Sequence, residues 1–469
     1  MRPLLLLPEI LLFVGGLAAL IGGSFLPRRR QWPARAVSLA VLLAAAAAAA
    51  TGLTGTPTEA FEGTFTIDAA TGMARVVVTL ATVFVVLLAG EELGGHARES
   101  EAYALLLFAA TGALVLAGAH DLLVLAVGFL LASIPLYGII GLARTPRSAE
   151  AALKTYLVGA LFGILLLLGV TLLYGLAGST SYAQMANALR GAPSSVVAIG
   201  AVGVIGGLMF KAGGVPAHFW VPDAAQGANA TAATFLTTVP KVGAVVAVYR
   251  VVTVLGDTVP AAALVAAFSV LSMTLGNFAA YWQTDPRRLL GWSTVSQLGY
   301  LLVPVVVAGR TDLALPAVLV YLAGYAVTNL AAFAVTAALP GCRDLDSYTG
   351  LARRHPLLAG ALVVALLGLV GTPPTVVFVG KLTAATAGWD GGSAWLALAL
   401  LANSVVSLFY YLRWIMVLYR PGAAGGNPQA QEPAGRTSVG VAAVAGALSL
   451  ALGLGGGVLW SLVESAIGA

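Results

Sequence analysis

Apolar stretches of about twenty residues, joined by short polar segments, follow one another along the whole chain. A helix needs roughly 20 apolar residues to cross the hydrocarbon layer of a bilayer, so each stretch is predicted to be a transmembrane helix. The predicted fold is an all-α polytopic membrane protein with a single transmembrane domain over 1–469. Fourteen spans are predicted, at residues 4–24, 35–55, 70–90, 101–119, 121–143, 152–177, 194–221, 228–252, 260–282, 287–308, 313–340, 356–387, 393–419 and 437–463.

Composition agrees with this pattern. Hydrophobic residues make up 59% of the chain and charged residues only 9%, against roughly 25% charged in a soluble domain. The first apolar run, Leu4 to Leu26, is too long for the core of a signal peptide and is predicted to stay as a membrane anchor. Residues 421–436 are rich in Pro, Gly and Ala, and are predicted to form a flexible cytoplasmic linker before span fourteen.

The arginines mark one side of the predicted membrane domain. The joints that follow odd-numbered spans are basic, whereas the opposite joints hold few positive residues, namely Arg190 and Arg310. The positive-inside rule places the basic joints in the cytoplasm of a bacterial cell and both termini outside. This placement accounts for the net charge of +5, so no nucleic-acid partner is predicted. The basic joints contain Arg28, Arg29, Arg30, Arg35, Arg98, Arg144, Arg147, Arg287, Arg288, Arg343, Arg353, Arg354, Arg420 and Arg436.

Side chains that hold redox groups are scarce. Cys342 is the single cysteine, and His96, His120, His218 and His355 are scattered among joints and span ends. No Gly-rich phosphate loop opens a helix. No cofactor and no metal site are therefore predicted in this chain, and redox chemistry would require another subunit to carry the electrons.

Two spans contain sequences that break a helix. Span seven reads Phe-Lys-Ala-Gly-Gly-Val-Pro at 210–216, and span twelve reads Gly-Thr-Pro-Pro at 371–374. Proline removes a backbone donor, and broken helices at membrane depth mark transport sites. The alternative interpretation is a pair of ordinary proline kinks. A lysine near each break, Lys211 and Lys381, favours the transport interpretation.

The chain has only four lysines, and three of them lie inside predicted spans: Lys211, Lys241 and Lys381. A charged group at membrane depth costs at least ~2.5–3.5 kcal/mol and usually serves ion or proton movement. Of 19 acidic residues, only Glu9 lies well inside a span. Burial without a counter-charge disfavours the ammonium form, so these lysines are predicted to load and release protons near neutral pH.

Two further positions are candidates on the cytoplasmic side. Lys154 follows Glu150 by four residues, on the same face of span six; the pair either approaches the proton path or is an ordinary surface pair worth ~0.2–0.5 kcal/mol. His218 lies in the predicted polar joint 216–227. Its imidazole titrates near pH 6.5 and suits a proton relay, although a structural cap is equally compatible with its position.

The motifs around these residues resemble those of the antiporter-like membrane subunits of respiratory complex I, most of all the subunit N branch that includes mitochondrial subunit 2. The resemblance covers spans five to twelve in the family's order. A lysine in span twelve favours subunit N over subunit M, which has glutamate there, and subunit L is much longer. The matching runs are 133–137, 150–154, 210–211, 215–223, 240–241, 275–277, 287–293, 299–300, 371–374 and 378–381.

The resemblance implies four N-terminal helices over 4–119 and two inverted five-helix repeats, spans four to eight (101–252) and nine to thirteen (260–419), with span fourteen at 437–463. It implies that Lys211, Lys241 and Lys381 lie on a hydrated mid-membrane axis. Implied partners are the lipid bilayer and other membrane subunits, with quinone bound elsewhere in the assembly. One position departs from the family: Leu130 stands where a span-five glutamate pairs with the span-seven lysine.

The predicted function is that of a proton-translocating subunit of a quinone-reducing NADH dehydrogenase, so any oxidoreductase activity belongs to the assembly. A module of a multi-subunit cation/proton exchanger is one alternative. A structural paralogue that does not pump is another, and Leu130 motivates it.

Overall fold

The computed structural model describes residues 2–53, 55–256, 258–421 and 434–468. Its first half begins with a 3-10 helix, Pro3–Leu6, and contains a second one at Leu189–Gly191. The α-helices of this half are α1 (Leu7–Ser24), α2 (Trp32–Thr51), α3 (Ala69–Glu92), α4 (Glu99–Gly118), α5 (Leu122–Gly141), α6 (Pro146–Ala177), α7 (Tyr182–Ala188), α8 (Ser194–Ala212), α9 (Trp220–Gly227) and α10 (Ala230–Leu255).

The second half is also helical, with a 3-10 helix at Leu345–Tyr348. Its α-helices are α11 (Ala261–Tyr281), α12 (Pro286–Val306), α13 (Ala314–Ala338), α14 (Leu351–Arg354), α15 (Pro356–Val370), α16 (Val376–Asp390), α17 (Ala394–Tyr419), α18 (Arg436–Leu454) and α19 (Gly456–Gly468). Two short strands, β1 (Thr58–Ala60) and β2 (Phe65–Ile67), form an antiparallel hairpin between α2 and α3.

The described part of the chain contains 13 helices that are long and apolar enough to cross a membrane, and a shorter apolar helix at Pro356–Val370. The shorter helix is the first half of predicted span twelve. Span seven ends at Ala212 and span twelve is interrupted after Val370. The predicted polytopic fold, its number of spans and both breaks are therefore confirmed.

Several predicted boundaries were wrong. The joint predicted at 216–227 contains α9 from Trp220 onwards. Helix α6 begins at Pro146, six residues before the predicted start, because Thr145 and Ser148 form a capping box at its N-terminus. Span fourteen divides into α18 and α19 at Gly455. Most of the predicted linker, 422–433, lies outside the described residues, and the division into two inverted repeats stays a prediction.

The centre of the bundle is formed by α10, α12 and α13, whose residues are almost all buried. By contrast, α1, α2, α6 and α17 lie at the perimeter and expose rows of large apolar side chains. In a bilayer such rows contact lipid or neighbouring subunits, since lipid tails are as apolar as leucine. The three mid-span lysines lie in the buried interior beside the two helix breaks, whereas the prolines of the breaks, Pro216, Pro373 and Pro374, are exposed.

Candidate functional site

The first break follows Ala212, the last residue of α8. Gly213 adopts the left-handed conformation at φ 79°, which a residue without a side chain reaches at little steric cost. The backbone N–H groups of Gly213 and Gly214 donate to the carbonyl of Met209 at 2.8 and 2.9 Å. The chain continues through a cis Val215–Pro216 bond, and the Val215 N–H donates to Ser272 Oγ of α11 at 3.0 Å.

The second break has the same local geometry. Helix α15 ends at Val370, and Gly371 is left-handed at φ 90°. The N–H groups of Gly371 and Thr372 both donate to the carbonyl of Leu367, each at 3.1 Å. A cis Pro373–Pro374 bond follows, and the helix resumes as α16. Each break thus leaves terminal carbonyls of a helix inside the bundle.

A lysine contacts the free end of each broken helix. Lys241, halfway along α10, donates from Nζ to the Ala212 carbonyl. Lys381, in α16, donates to the Val370 carbonyl at 2.9 Å and to Ser404 Oγ at 3.1 Å. The C-terminal end of a helix carries negative partial charge, which favours a cation. The helix ends therefore provide part of the counter-charge for these lysines, which form none of the ion pairs among the described residues.

Lys211 lies in a different environment. Its side chain is 1% exposed, and its Nζ has no hydrogen-bond partner among the described residues. The nitrogen lies 5.4 Å from the ring centroid of Phe129 and 5.7 Å from that of Phe210. Lys211 is the most apolar of the three sites, because the other two mid-span lysines each contact a helix-terminal carbonyl.

A polar cluster lies where α6 and α9 meet the start of α12. Lys154 Nζ lies 2.7 Å from Glu150 and 2.9 Å from Asp223, and Asp223 also binds Arg288 at 2.5 Å. These side chains line an open cavity of about 260 Å³, together with Arg147. Burial raises the pKa of the Asp223 carboxyl, but the bonds to Lys154 and Arg288 outweigh this and hold it below its usual value.

His218 lies in the turn between α8 and α9, buried against two rings. Its ring centroid is 4.1 Å from that of Phe219 and 5.6 Å from that of Trp292. Its Nδ1 has no partner among the described residues. Burial lowers the pKa of His218, and a hydrogen bond with the Pro216 backbone only partly offsets this. The structure thus places a buried imidazole with one unused nitrogen after the first break.

Polar side chains near Lys241 connect α10 to the next central helices. Asn329 donates to the hydroxyls of Thr237 and Thr238, one turn before Lys241, at 3.0 and 2.8 Å. Tyr325 donates to the Thr237 carbonyl at 2.7 Å and lies 3.2 Å from the hydroxyl of Thr294. These bonds join α10, α12 and α13 at the depth of Lys241.

A second group of bonds continues towards Lys381. One turn after Thr294, Gln297 donates to the Leu369 carbonyl at 2.7 Å and accepts from Tyr321 at 2.8 Å. Leu369 precedes the carbonyl that Lys381 binds, and the Lys381 nitrogen lies 4.0 Å from the ring centroid of Tyr300. Buried polar groups therefore lie at successive positions between the two breaks.

Comparisons with known proteins agree with this architecture. A family model described as NADH:quinone oxidoreductase/Mrp antiporter, TM, matches residues 119–407. NADH-quinone oxidoreductase subunit N of Mycobacterium sp. (strain JLS) is 61% identical over 464 residues, which cover 99% of this chain and 98% of that protein. The chain belongs to the antiporter-like family of NADH-quinone oxidoreductase membrane subunits.

Two further relatives extend the comparison. NADH-quinone oxidoreductase subunit N 1 of Streptomyces griseus is 48% identical, with 97% of each chain covered. A chain of respiratory complex I from Thermus thermophilus, solved with bound aureothin, is 29% identical and matches with a TM-score of 0.83 over 98% of this chain and 99% of that chain. The resemblance of the sequence to subunit N is confirmed.

Position 130, where the resemblance implies a glutamate, lies at the surface of the bundle. The Leu130 side chain is 43% exposed and lines an apolar groove with Phe13 of α1 and Phe108 of α4. The preceding residue, Phe129, faces Lys211. In this chain an aromatic ring, and no carboxylate among the described residues, therefore lies against the span-seven lysine from the α5 side.

Sequence reasoning missed three arginines within spans, one of which, Arg413 of α17, donates to the carbonyls of Tyr281 and Gln283. Arg75 of α3 forms a buried pair with Glu9 of α1, with contacts of 2.8 and 2.9 Å. Arg250 of α10 binds both oxygens of Asp68, at 2.9 and 2.8 Å. Glu9 was recognised as a carboxylate inside a span, and a search for an arginine at matching depth would have found its partner. Both pairs tie helices together.

Metal ligands are sparse in the described part of the chain. No group of three or more His, Cys, Asp and Glu side chains there has the spacing of a metal site. Cys342 is buried, and its Sγ lies 3.7 Å from the carbonyl of Ser347. The buried polar groups described above are ammonium, hydroxyl and amide groups, which donate and accept hydrogen bonds.

Proposed function

We propose that this chain moves protons across the bacterial plasma membrane through Lys211, Lys241 and Lys381, coupled to quinone reduction in other subunits of a NADH-quinone oxidoreductase. In this proposal the electrons stay in those subunits, and this chain contributes proton transfer alone. Moving one charge through 100 mV takes ~2.3 kcal/mol. A shift of about two units in the pKa of a buried lysine supplies energy of this size, because one pKa unit corresponds to about 1.4 kcal/mol.

The observation that carries the proposal is the contact between a buried lysine and each broken helix. Lys241 binds the end of α8 and Lys381 binds the end of α15. A carbonyl dipole holds an ammonium less firmly than a carboxylate does, so a lysine on a helix end can lose its proton without leaving an opposite charge buried behind it. Such a site is suited to reversible loading.

The polar groups between Lys241 and Lys381 support transfer between the two lysines. Hydroxyl groups both donate and accept, and amides do the same through separate atoms. The chain of Thr237, Asn329, Tyr325, Thr294 and Gln297 provides such groups on three helices. Water molecules between these groups would complete the path, as they do at many buried polar sites.

The cluster of Lys154, Glu150 and Asp223 forms the entrance in this proposal, and His218 links it to the interior. The cluster opens to solvent at the arginine-rich face, which the positive-inside rule assigns to the cytoplasm. Both termini then lie outside. His218 follows the first break directly, and its free Nδ1 suits the relay role.

The direct test measures protons moved per NADH oxidised, in inverted membrane vesicles that contain the whole complex. Lys241→Met keeps the length of the side chain and removes the charge. The expected result is a lower proton yield per NADH, with assembly retained, because the variant lacks the charge that carries the proton at mid-membrane. Val248→Ala, a buried change two turns further along α10, is the matched control. An unchanged proton yield in Lys241→Met would reject the proposal.

A structural role without pumping is the second candidate, and one observation favours it. Lys211 has no carboxylate partner among the described residues, so the coupling that the family resemblance implies for spans five and seven is absent. If Lys241→Met and Lys381→Met both leave the proton yield unchanged, this second function replaces the first. The family description also covers Mrp antiporters; copurification of the chain with iron–sulfur and quinone-site subunits would exclude that alternative.

A further inference from the structure

The ammonium group of Lys211 is enclosed by aromatic rings from two helices. Phe129 comes from α5 and Phe210 from α8, and their centroids lie 6.1 Å apart. Both distances to Nζ, 5.4 and 5.7 Å, fall within the roughly 6 Å over which a ring face attracts a cation. Phe129 is 2% exposed and Phe210 is fully buried, and a ring face attracts a cation more strongly at a buried site than at an exposed one.

Helix α6 packs against these two rings through two of its glycines. A Cβ atom added at Gly159 would lie 2.7 Å from Cζ of Phe210, and one added at Gly163 would lie 3.3 Å from Cε1 of Phe129. Two glycines one turn apart thus leave the space that the rings occupy. The indole N–H of Trp220 also donates to the Phe210 carbonyl at 3.2 Å, which fixes this residue further. The aromatic enclosure is therefore tightly defined by its surroundings.

Other groups that could stabilise the charge are missing from the described surroundings of Lys211. Its Nζ makes no hydrogen bond there, and none of the ion pairs that the structure describes includes it. Lys381 also lies over a ring, that of Tyr300, but it binds a carbonyl and a hydroxyl as well. Lys211 is consequently the site at which a ring face matters most.

We propose that Phe129 is a positioning residue for Lys211, and that its ring face takes the place of a carboxylate as the counter-charge for the ammonium group. A ring attracts the protonated lysine through its quadrupole, yet it has no proton of its own to exchange. The charge state of this site then follows the Lys211 proton alone. This inference rests on the proposed proton path, of which Lys211 is a member.

The test again uses the whole complex in inverted vesicles and measures protons moved per NADH oxidised. Phe129→Leu removes the ring and is expected to lower the proton yield. Phe129→Tyr keeps the ring face and is expected to retain most of the yield. A ring-fluorinated phenylalanine at position 129 keeps the shape but weakens the quadrupole, so it is expected to fall between the two. Phe333→Leu, an equally buried change in α13, is the control and is expected to leave the yield unchanged.

The outcomes separate this inference from the proton path itself. If Lys211→Met lowers the yield and Phe129→Leu does not, the aromatic role is rejected and the path remains. If Lys211→Met leaves the proton yield unchanged, the aromatic role of Phe129 and the place of Lys211 in the proton path are both rejected. A fluorinated ring that performs like native phenylalanine, while Phe129→Leu fails, shows that only the shape of the ring matters, and this also overturns the proposal. The fluorinated ring keeps the test decisive if Phe129→Leu does not assemble.

Discussion

The two broken helices share one backbone design but place their lysines differently. Each ends in a left-handed glycine followed by a cis proline bond. At the second break, Lys381 lies after the break in the same span and binds the helix end that precedes it. At the first break, Lys211 lies before the break, and Lys241 from α10 binds the helix end. The same electrostatic contact is therefore made from two different positions in the sequence.

The surroundings of the breaks differ as well. The ring of Tyr300 lies 4.0 Å from the Lys381 nitrogen, and the Tyr300 hydroxyl accepts from Asn277, which is also bonded to Ser296 and Asn403. Gln297 binds the backbone just before the second break. Lys211 at the first break faces two phenylalanine rings. A buried charge can thus be held by dipoles of the backbone, by polar side chains or by ring faces. The comparison indicates that Lys211 relies on ring faces, whereas Lys241 and Lys381 each have a hydrogen bond to a helix end.

The largest effect is expected from alanine at the two left-handed glycines, which tests whether the breaks are equivalent. An alanine in this conformation costs roughly 1–2 kcal/mol. Its Cβ would lie 2.8 Å from Lys241 Nζ in Gly213→Ala and 2.8 Å from Lys381 Cδ in Gly371→Ala. Both variants are expected to displace a lysine from its helix end and to reduce the proton yield of the assembled complex by about half or more.

Gly360→Ala is the matched control for these two variants. Its added Cβ would meet nothing within 4 Å, and its φ is not positive. Assembly is checked by the amount of complex recovered from the membrane, and coupling by protons moved per NADH. If only one of the two breaks were sensitive to alanine, the equivalence drawn between them would be wrong.

A smaller effect is expected from Gln297→Leu, which removes a hydrogen-bonding group from the second half only. The change leaves the hydroxyl of Tyr321 and the carbonyl of Leu369 without their partner, and an unsatisfied buried group costs about 1–3 kcal/mol. The proton yield is expected to fall by less than in the glycine variants, because Lys381 keeps its contacts with Val370 and Ser404. Thermal inactivation of the purified complex should show the loss of stability.

Ser449→Ala provides a control for Gln297→Leu. The Ser449 hydroxyl is also buried and bonded, to Thr328 at 2.8 Å, but it lies outside the connection between the lysines. A comparable loss of stability with an unchanged yield is expected there. Equal yields in both variants would mean that Gln297 serves packing alone.

The sequence predicted the features that the bilayer itself dictates. Span lengths follow from membrane thickness, and the breaks follow from glycine and proline, so the number of spans and the two interruptions were correct, although several span boundaries were not. The contact between Lys241 and Ala212 joins residues of two helices that are 29 positions apart in the sequence. It depends on how the helices pack, which no local sequence pattern encodes. Helix α9 was missed because eight residues containing Pro222 and Asp223 resemble a polar joint.

The candidate site was predictable to a similar extent. The pair of Lys154 with Glu150 follows from helical spacing and is present. The additional bond from Lys154 to Asp223, and the polar side chains between the breaks, required the arrangement of helices. The rings around Lys211 were not foreseen either, since a phenylalanine next to a leucine-rich run gives no signal of a cation site.

The smallest effect is expected from Leu130→Glu, which adds the carboxylate that the family resemblance implies. In the native background the Phe129 ring already faces Lys211, and position 130 lies in an apolar groove, so the proton yield is expected to change only slightly. In the Phe129→Leu background the ring is absent, and the same glutamate is expected to restore part of the lost yield.

The measurement is a double-mutant cycle on protons moved per NADH, which isolates the coupling between the two positions. If the glutamate were without effect in both backgrounds, a carboxylate at 130 could not act on Lys211, and the contrast between Lys211 and the two lysines at helix ends would rest on the rings alone. Restoration in the second background would show that ring and carboxylate are interchangeable solutions to one electrostatic problem.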